Sequence, residues 1–178
     1  MAPASRLGRQ IAEVATALDA IDARFALIGG LALASYKVIR ATQDVDLLVD
    51  AEKADAIDAE LLRLGYQPVH RSADAGNYVR KDERLDLLYA HRPAARLLLD
   101  EAPVAHTTLG SLRVVRAEGL IGFKLQALVN EPRRTQDLED IRALLRANRA
   151  TLDMEQVRGY FRLFQRESQL DELLREID

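Results

Sequence analysis

Few folds accommodate the stretch from Phe25 to Asp50, FALIGGLALASYKVIRATQDVDLLVD. It opens on four apolar residues, Phe25 to Ile28, that read as a strand, and turns at Gly29-Gly30. A short Ala/Leu segment, Leu31 to Lys37, reads as a helix, and a second apolar strand then carries Asp44 and Asp46. Strand residues two apart point to the same face, so both carboxylates face one way. Val45, Leu47, Leu48 and Val49 around them are strand formers that expect burial. At ~4 Å and an effective dielectric of about 20, two such charges repel by roughly 4 kcal/mol. A cation or a pKa shift usually offsets a pair of this kind. With only oxygen ligands, the pair suits Mg²⁺ or Mn²⁺, hard ions that keep several waters and also bind substrate phosphates.

The Gly-Gly turn fits the same purpose. Where a strand hands over to a helix, backbone N–H groups and the positive end of the helix dipole point outward together. Glycine also lets the backbone approach an anion closely and take positive φ. Gly-Gly alone, or Asp-x-Asp alone, says little. Joined by residues 31–43, with apolar strands on both sides, they read as a phosphate cradle beside a metal pair, which together make a nucleotide site.

Gly29-Gly30, followed by Arg40-x-Thr42-x-Asp44-x-Asp46 and Leu-Leu-Val, resembles the signature of the polymerase-β-type nucleotidyltransferases. The resemblance covers residues 25–50. It implies a mixed-sheet nucleotidyltransferase core, an NTP substrate, Mg²⁺ held by Asp44 and Asp46, and a third carboxylate on a later strand.

At 178 residues the chain has room for one domain with a helical extension. Apolar content of 48% and charged content of 30% are those of a globular protein. The formal net charge of −3 leaves no global basic footprint for nucleic acid, although the basic charge is mostly arginine and a local patch stays open. Without cysteine there is no disulfide, thiolate metal site or Cys nucleophile. MAPASRLGRQ leads into an amphipathic helix and not an apolar signal core. No apolar run reaches membrane-spanning length. A cytoplasmic protein with no membrane partner is the expectation.

Leu7, Ile11, Val14, Leu18 and Ile21, at spacings of three and four, predict a sheet-packing helix over residues 5–22. Ala51 to Leu64 is a second helix, with Gly65 a C-cap. Tyr66 to His70 and Asn77 to Lys81 read as a hairpin across a polar loop. Arg84 to Ala90, RLDLLYA, is a further strand with one acid, Asp86. Asp86 is either a surface acid on the solvated face or, if its strand pairs beside Asp44 and Asp46, the third carboxylate. In the resembled family that residue helps hold the metal and can act as base for the attacking hydroxyl. Ala94 to Leu99 is a short helix. Val104 to Leu109 and Leu112 to Arg116 predict a hairpin that adds an outer pair to the sheet. His70, His91 and His106 share no metal-ligand spacing and read as surface or strand-end residues.

After Gly119 the pattern is wholly helical, giving a core over 1–116 and a helical subdomain over 117–178. The fold class is therefore α/β (α+β), a mixed sheet with helices followed by helices alone. Lys124 is the sole charge in LIGFKLQALVN, so it either snorkels to solvent or points into the site as a phosphate-binding cation. Thr135 is a natural N-cap. Asp137 and Asp140, one turn apart, are either ordinary first-turn acids or a functional pair. Residues 151–178 read as two amphipathic helices, lined by Met154, Val157, Phe161 and Phe164 and by Leu170, Leu173, Leu174 and Ile177.

Lys124-Leu-Gln-Ala-Leu, an Arg-rich break and Asp137-x-x-Asp140-Ile resemble the C-terminal motif of abortive-infection (AbiEii-like) nucleotidyltransferases. Where that family has Lys-Asp, this chain has Gln136-Asp137. The two resemblances imply catalytic and metal-binding roles for Asp44, Asp46 and Asp86. They imply nucleotide binding by Gly29, Gly30, Arg40, Thr42, Lys124 and Asp137. Three functions then compete. One is a toxin of a toxin–antitoxin pair, modifying tRNA or a protein and partnered by a cognate antitoxin. The second is an aminoglycoside-type small-molecule nucleotidyltransferase, and the third a non-catalytic nucleotide-binding relative.

Overall fold

The computed structural model describes residues 5–178, so the first residues of the MAPASRLGRQ segment lie outside the described residues. The chain divides into two compact units. One comprises residues 1–32 and 41–115; the other takes Leu33–Arg40 together with Arg116–Asp178. The division near residue 116 falls where the strand pattern stops. That eight residues from inside the glycine-to-aspartate stretch join the second unit could not be read from periodicity.

In the first unit, α1 (Arg6–Ala20) is capped by Ser5, whose hydroxyl accepts from the Gly8 N–H at 3.0 Å. Of the expected stripe it buries Ile11, Val14 and Leu18, with Ala17 beside them, while Leu7 and Ile21 at its ends are half-buried. β1 (Phe25–Ile28) runs into α2 (Gly29–Ala32), and β2 (Asp44–Val49) returns antiparallel to β1 with Ile28 opposite Asp46. A 3₁₀ turn, Ala51–Lys53, leads to α3 (Ala54–Arg63), then β3 (Gln67–Arg71), β4 (Ala75–Arg80) and β5 (Glu83–Tyr89). The five strands form one mixed sheet in the order β1-β2-β5-β4-β3, with β2 and β5 parallel and every other pair antiparallel. β3 is an edge with every residue exposed, where Pro68 costs no ladder bond.

Period-two alternation sorts the central strands into two faces. Val45, Leu47 and Val49 on β2, with Leu85, Leu87 and Tyr89 on β5, are buried on one face. Tyr78 of β4, fully buried on that face, donates to Asp58 of α3 at 2.6 Å. Helices therefore cover the apolar face. The other face carries the acids.

α4 (Pro93–Asp100) starts on a proline at its first turn, where the missing N–H has no helical partner anyway. β6 (Val104–Thr107) and β7 (Gly110–Arg113) form the expected hairpin, but it is a separate two-stranded sheet and not an outer pair of the main one. A single parallel bridge joins Leu27 to Val114, and the Val115 N–H donates to the Leu27 carbonyl at 3.1 Å. β1 is only four residues long and its chain enters α2 at Gly29, so the edge ends before a ladder can extend.

The second unit is built from α5 (Ala117–Asn130), α6 (Thr135–Asn148), α7 (Met154–Leu163), α8 (Glu167–Ile177) and the 3₁₀ turn Leu33–Tyr36. α5 is apolar around its circumference, as a central helix must be, and buries Leu120, Ile121 and Leu125. Ile141, Leu144 and Leu145 of α6, Val157 and Phe161 of α7, and Leu170 and Leu173 of α8 complete the core. Gly122 lets α7 come close, because a Cβ there would press 3.1 Å from the Tyr160 ring. Asn148, buried on α6, donates to the Tyr36 carbonyl at 2.9 Å and so ties the Leu33–Arg40 segment into this unit. Among the described residues no helix is long and apolar enough to cross a membrane.

Candidate active site

Strand pairing brings the three acids of the first unit onto one surface. Asp44 and Asp46 share a face of β2, and β5 pairs with β2 in parallel so that Asp86 is the register partner of Asp46. Register partners in adjacent strands point the same way, so Asp86 stands beside Asp46 and not behind the sheet. All three are half-buried on the face opposite the buried row of Val45, Leu47, Leu85 and Leu87. On its other flank Asp86 is paired with Asn77 of β4, whose amide donates to Asp86 Oδ1 at 2.7 Å. Across three strands the row reads carboxylate, carboxylate, carboxamide. Among the described residues, Asp44 and Asp86 have no ion pair. The exposed Arg84, register partner of Asp44, makes none either.

The glycine turn and the acid pair are joined by contact. Gly29 has φ of +67°, a conformation that costs an L side chain strain, and it is the first residue of α2. A Cβ at that position would lie 2.7 Å from Asp46 Cβ and collide with the Asp46 carboxylate. Only glycine lets the chain turn against Asp46 here. Gly30 is buried behind it. The helix expected from Leu31 to Lys37 starts two residues earlier, as a single α-turn, and continues as a 3₁₀ turn to Tyr36. Thr42 is half-buried in the run-in to β2.

Lys124, Asp137 and Asp140 meet within the second unit. The Lys124 ammonium is 3.2 Å from Asp137 Oδ1 and 2.7 Å from Asp140 Oδ2, and all three side chains are at least nine-tenths buried. Arg40 reaches Asp140 at 3.0 Å, Arg134 reaches Asp137 at 2.5 Å, and the Gln136 amide donates to Asp140 Oδ1 at 3.0 Å. Lys124 therefore does not snorkel; buried carboxylates take its charge. The Gln136 side chain, at the position where the resembled family has lysine, is one of the donors to Asp140. Burial alone would raise the Asp140 pKa. Lys124, by hydrogen bond and charge, and then Gln136 and Arg40 outweigh it and hold the carboxyl below its ordinary value. Arg40, placed beside the acid strand by sequence, is packed with α6.

Among the histidines, His91 pairs with Asp74 on the surface and His106 with Ser111; neither approaches a metal-ligand set. Among the described residues, no group of three or more Asp, Glu, His or Cys side chains is arranged as it stands to hold an ion. The donor chemistry of the acid face nevertheless fits a hard divalent ion. It offers carboxylate oxygens only, two of them adjacent in register, and Mg²⁺ commonly takes one or two carboxylates and completes its shell with waters and substrate phosphates. Asp44, Asp46 and Asp86 are the residues that would hold it.

No protein-family model matches the sequence, and no curated protein matches it. Solved structures do. A solution structure of the antibiotic-resistance factor ANT(2'')-Ia aligns with TM-score 0.70 at 20% identity, over 98% of this chain and 100% of that one. A crystal structure of ANT(2'')-Ia in complex with adenylyl-2''-tobramycin aligns with TM-score 0.69 at 20% identity, over 90% of this chain and 98% of that one. The lincosamide antibiotic adenylyltransferase LnuA, bound to lincomycin, aligns with TM-score 0.52 at 16% identity, over 76% of this chain and 94% of that one. At such identities the likeness is one of fold, and together with the strand order and the acid row it shows that this protein is built on the nucleotidyltransferase fold.

Proposed function

We propose that the protein is a metal-dependent nucleotidyltransferase that moves a nucleoside monophosphate from an NTP to a hydroxyl of a small-molecule acceptor. The observation that carries the reaction class is the in-register pairing of Asp46 with Asp86, with Asp44 on the same face. The acceptor class is supported by likeness over nearly the whole of both chains to ANT(2'')-Ia, a protein seen with an adenylylated aminoglycoside.

In this reading Asp44 and Asp46 bind the metal–triphosphate, and the Gly29-Gly30 turn, with Thr42, lies against the phosphates. A divalent ion, when bound, supplies charge neutralisation for the triphosphate and the leaving group. Asp86, with Oδ1 occupied by Asn77, presents Oδ2 to the acceptor hydroxyl and takes its proton as the oxygen attacks the α-phosphorus. The α-phosphorus bond to the bridging oxygen breaks, and pyrophosphate leaves with the electron pair.

A second reading, a toxin acting on tRNA or a protein, is favoured by one observation: Lys124, Asp137 and Asp140, which carry the resemblance to the abortive-infection type, form one cluster. Incubation with each labelled NTP and Mg²⁺, with aminoglycosides and lincosamides in one arm and total tRNA in the other, separates the two. Labelled small molecule and released pyrophosphate are the expected result. Label in tRNA favours the toxin, and absence of NTP binding overturns both.

A further inference from the structure

We propose that Asn77 is a positioning residue for Asp86, an inference that rests on the function proposed above. Asn77 lies on β4 directly across from Asp86, and its side-chain amide donates to Asp86 Oδ1 at 2.7 Å. Asparagine is a poor strand residue, and a sheet face is served better by a β-branched or aromatic side chain. What it supplies here is a neutral donor at one end of a row of acids.

The neutrality matters. Asp86 stands beside Asp46, and like charges in neighbouring strands push each other apart. The terminal torsion of an aspartate is broad, so repulsion alone would turn the Asp86 carboxylate away from its neighbour. An arginine or lysine at residue 77 would hold it, but would also neutralise the charge the row presents to a cation. An amide holds it and leaves the full charge in place. Because a carboxylate accepts through two oxygens, fixing Oδ1 also fixes where Oδ2 points. Among the described residues the Asp86 carboxylate accepts no other side-chain hydrogen bond, so this contact holds its rotation against the Asp46 charge.

The test uses full-length protein carrying Asn77→Leu, which keeps the branched shape without the donor, and Asn77→Gln, which returns a neutral amide N–H on a stem one methylene longer. With wild-type transfer established, Asn77→Leu lowers kcat about tenfold while KM for NTP stays within twofold, and Asn77→Gln recovers part of the loss. Wild-type kcat in Asn77→Leu, proportional changes in kcat and KM, or failure of Asn77→Gln to recover each overturns the assignment. Binding of Mn²⁺ alone, followed by electron paramagnetic resonance, gives an answer that does not depend on turnover. Asn77→Leu weakens Mn²⁺ severalfold in the wild-type background and leaves it unchanged in Asp86→Asn. An equal effect in both backgrounds overturns the proposal, and an effect confined to the Asp86 background supports it even if no acceptor is ever labelled. Loss of NTP binding by the wild-type protein overturns the functional reading on its own. A melting-temperature check on each variant excludes global unfolding, with Asn77→Ser as a milder donor-shortened variant if Asn77→Leu fails to fold.

Discussion

Asp86 and Gly29 make the two sharpest claims at the scale of single residues. Asp44 and Asp46 follow the Gly29-Gly30 turn on β2, whereas Asp86 comes from β5 and reaches the row from its other side. Asp86→Asn should therefore keep NTP affinity within a few fold and lose about 10²–10⁴ in turnover, a transition-state defect. Equilibrium binding and rate on one preparation check this, and wild-type turnover would remove Asp86 from the chemistry. Gly29 is held by strain and by space together: φ is positive and Asp46 occupies the volume a methyl would need. Gly29→Ala should cost about 1–3 kcal/mol of stability and displace the Asp46 carboxylate. Thermal melts and Mn²⁺ titration read the two effects, and an unchanged melt would mean that the turn relaxes freely. Gly29 and Asp46 were each readable in the sequence as site residues. Their direct contact was not, because it needs the antiparallel return of β2 onto β1.

The pairing of elements α5 and α6 changes what Lys124 means. From sequence it is a lone charge on an apolar helix, for which replacement by methionine would leave the fold intact. In the structure it is the cation between two buried carboxylates. Removing one partner of a buried ion cluster strands the rest, so Lys124→Met should cost about 3–5 kcal/mol in a denaturant melt. A loss under ~1 kcal/mol would mean that Asp137 and Asp140 take up protons or find water instead. The same cluster sets a pH dependence. Asp140, with its carboxyl below the ordinary value of 3.8, binds protons less readily folded than unfolded. Its contribution is complete above about pH 4 and is lost as pH falls through the depressed value. Wild-type protein should lose stability steeply below that pH. Asp140→Asn should melt lower at neutral pH but show a flatter acid limb, measured as melting temperature between pH 2 and 6.

At the scale of the whole molecule, the chain passes between its two units at 32/33, 40/41 and 115/116. The Leu33–Arg40 segment is anchored to α6 by Asn148 on the Tyr36 carbonyl and by Asp140 on Arg40. A fragment of residues 1–116 would keep the five-stranded sheet but lose both anchors. Hydrogen exchange should show amides 33–40 protected in the full chain and fast in the fragment, while β2 and β5 stay protected. Equal protection of 33–40 in both would mean that the segment orders itself by local turns alone.

The amino-acid sequence by itself determined where most helices and strands fall, and that Asp44 and Asp46 share a face, because those depend on residues close in the chain. Period two placed Asp44 and Asp46 together, and periods of three and four marked α1, α6, α7 and α8. Tertiary structure decided who stands next to whom. That β5, not β3 or β4, lies beside β2 puts Asp86 against Asp46, and strand order is a long-range choice that alternation does not encode. The same holds for Asn77, an unremarked strand residue until β4 pairs with β5, and for Lys124, whose burial requires α6 to cross its helix. Side-chain period reports a face; only packing supplies the neighbour.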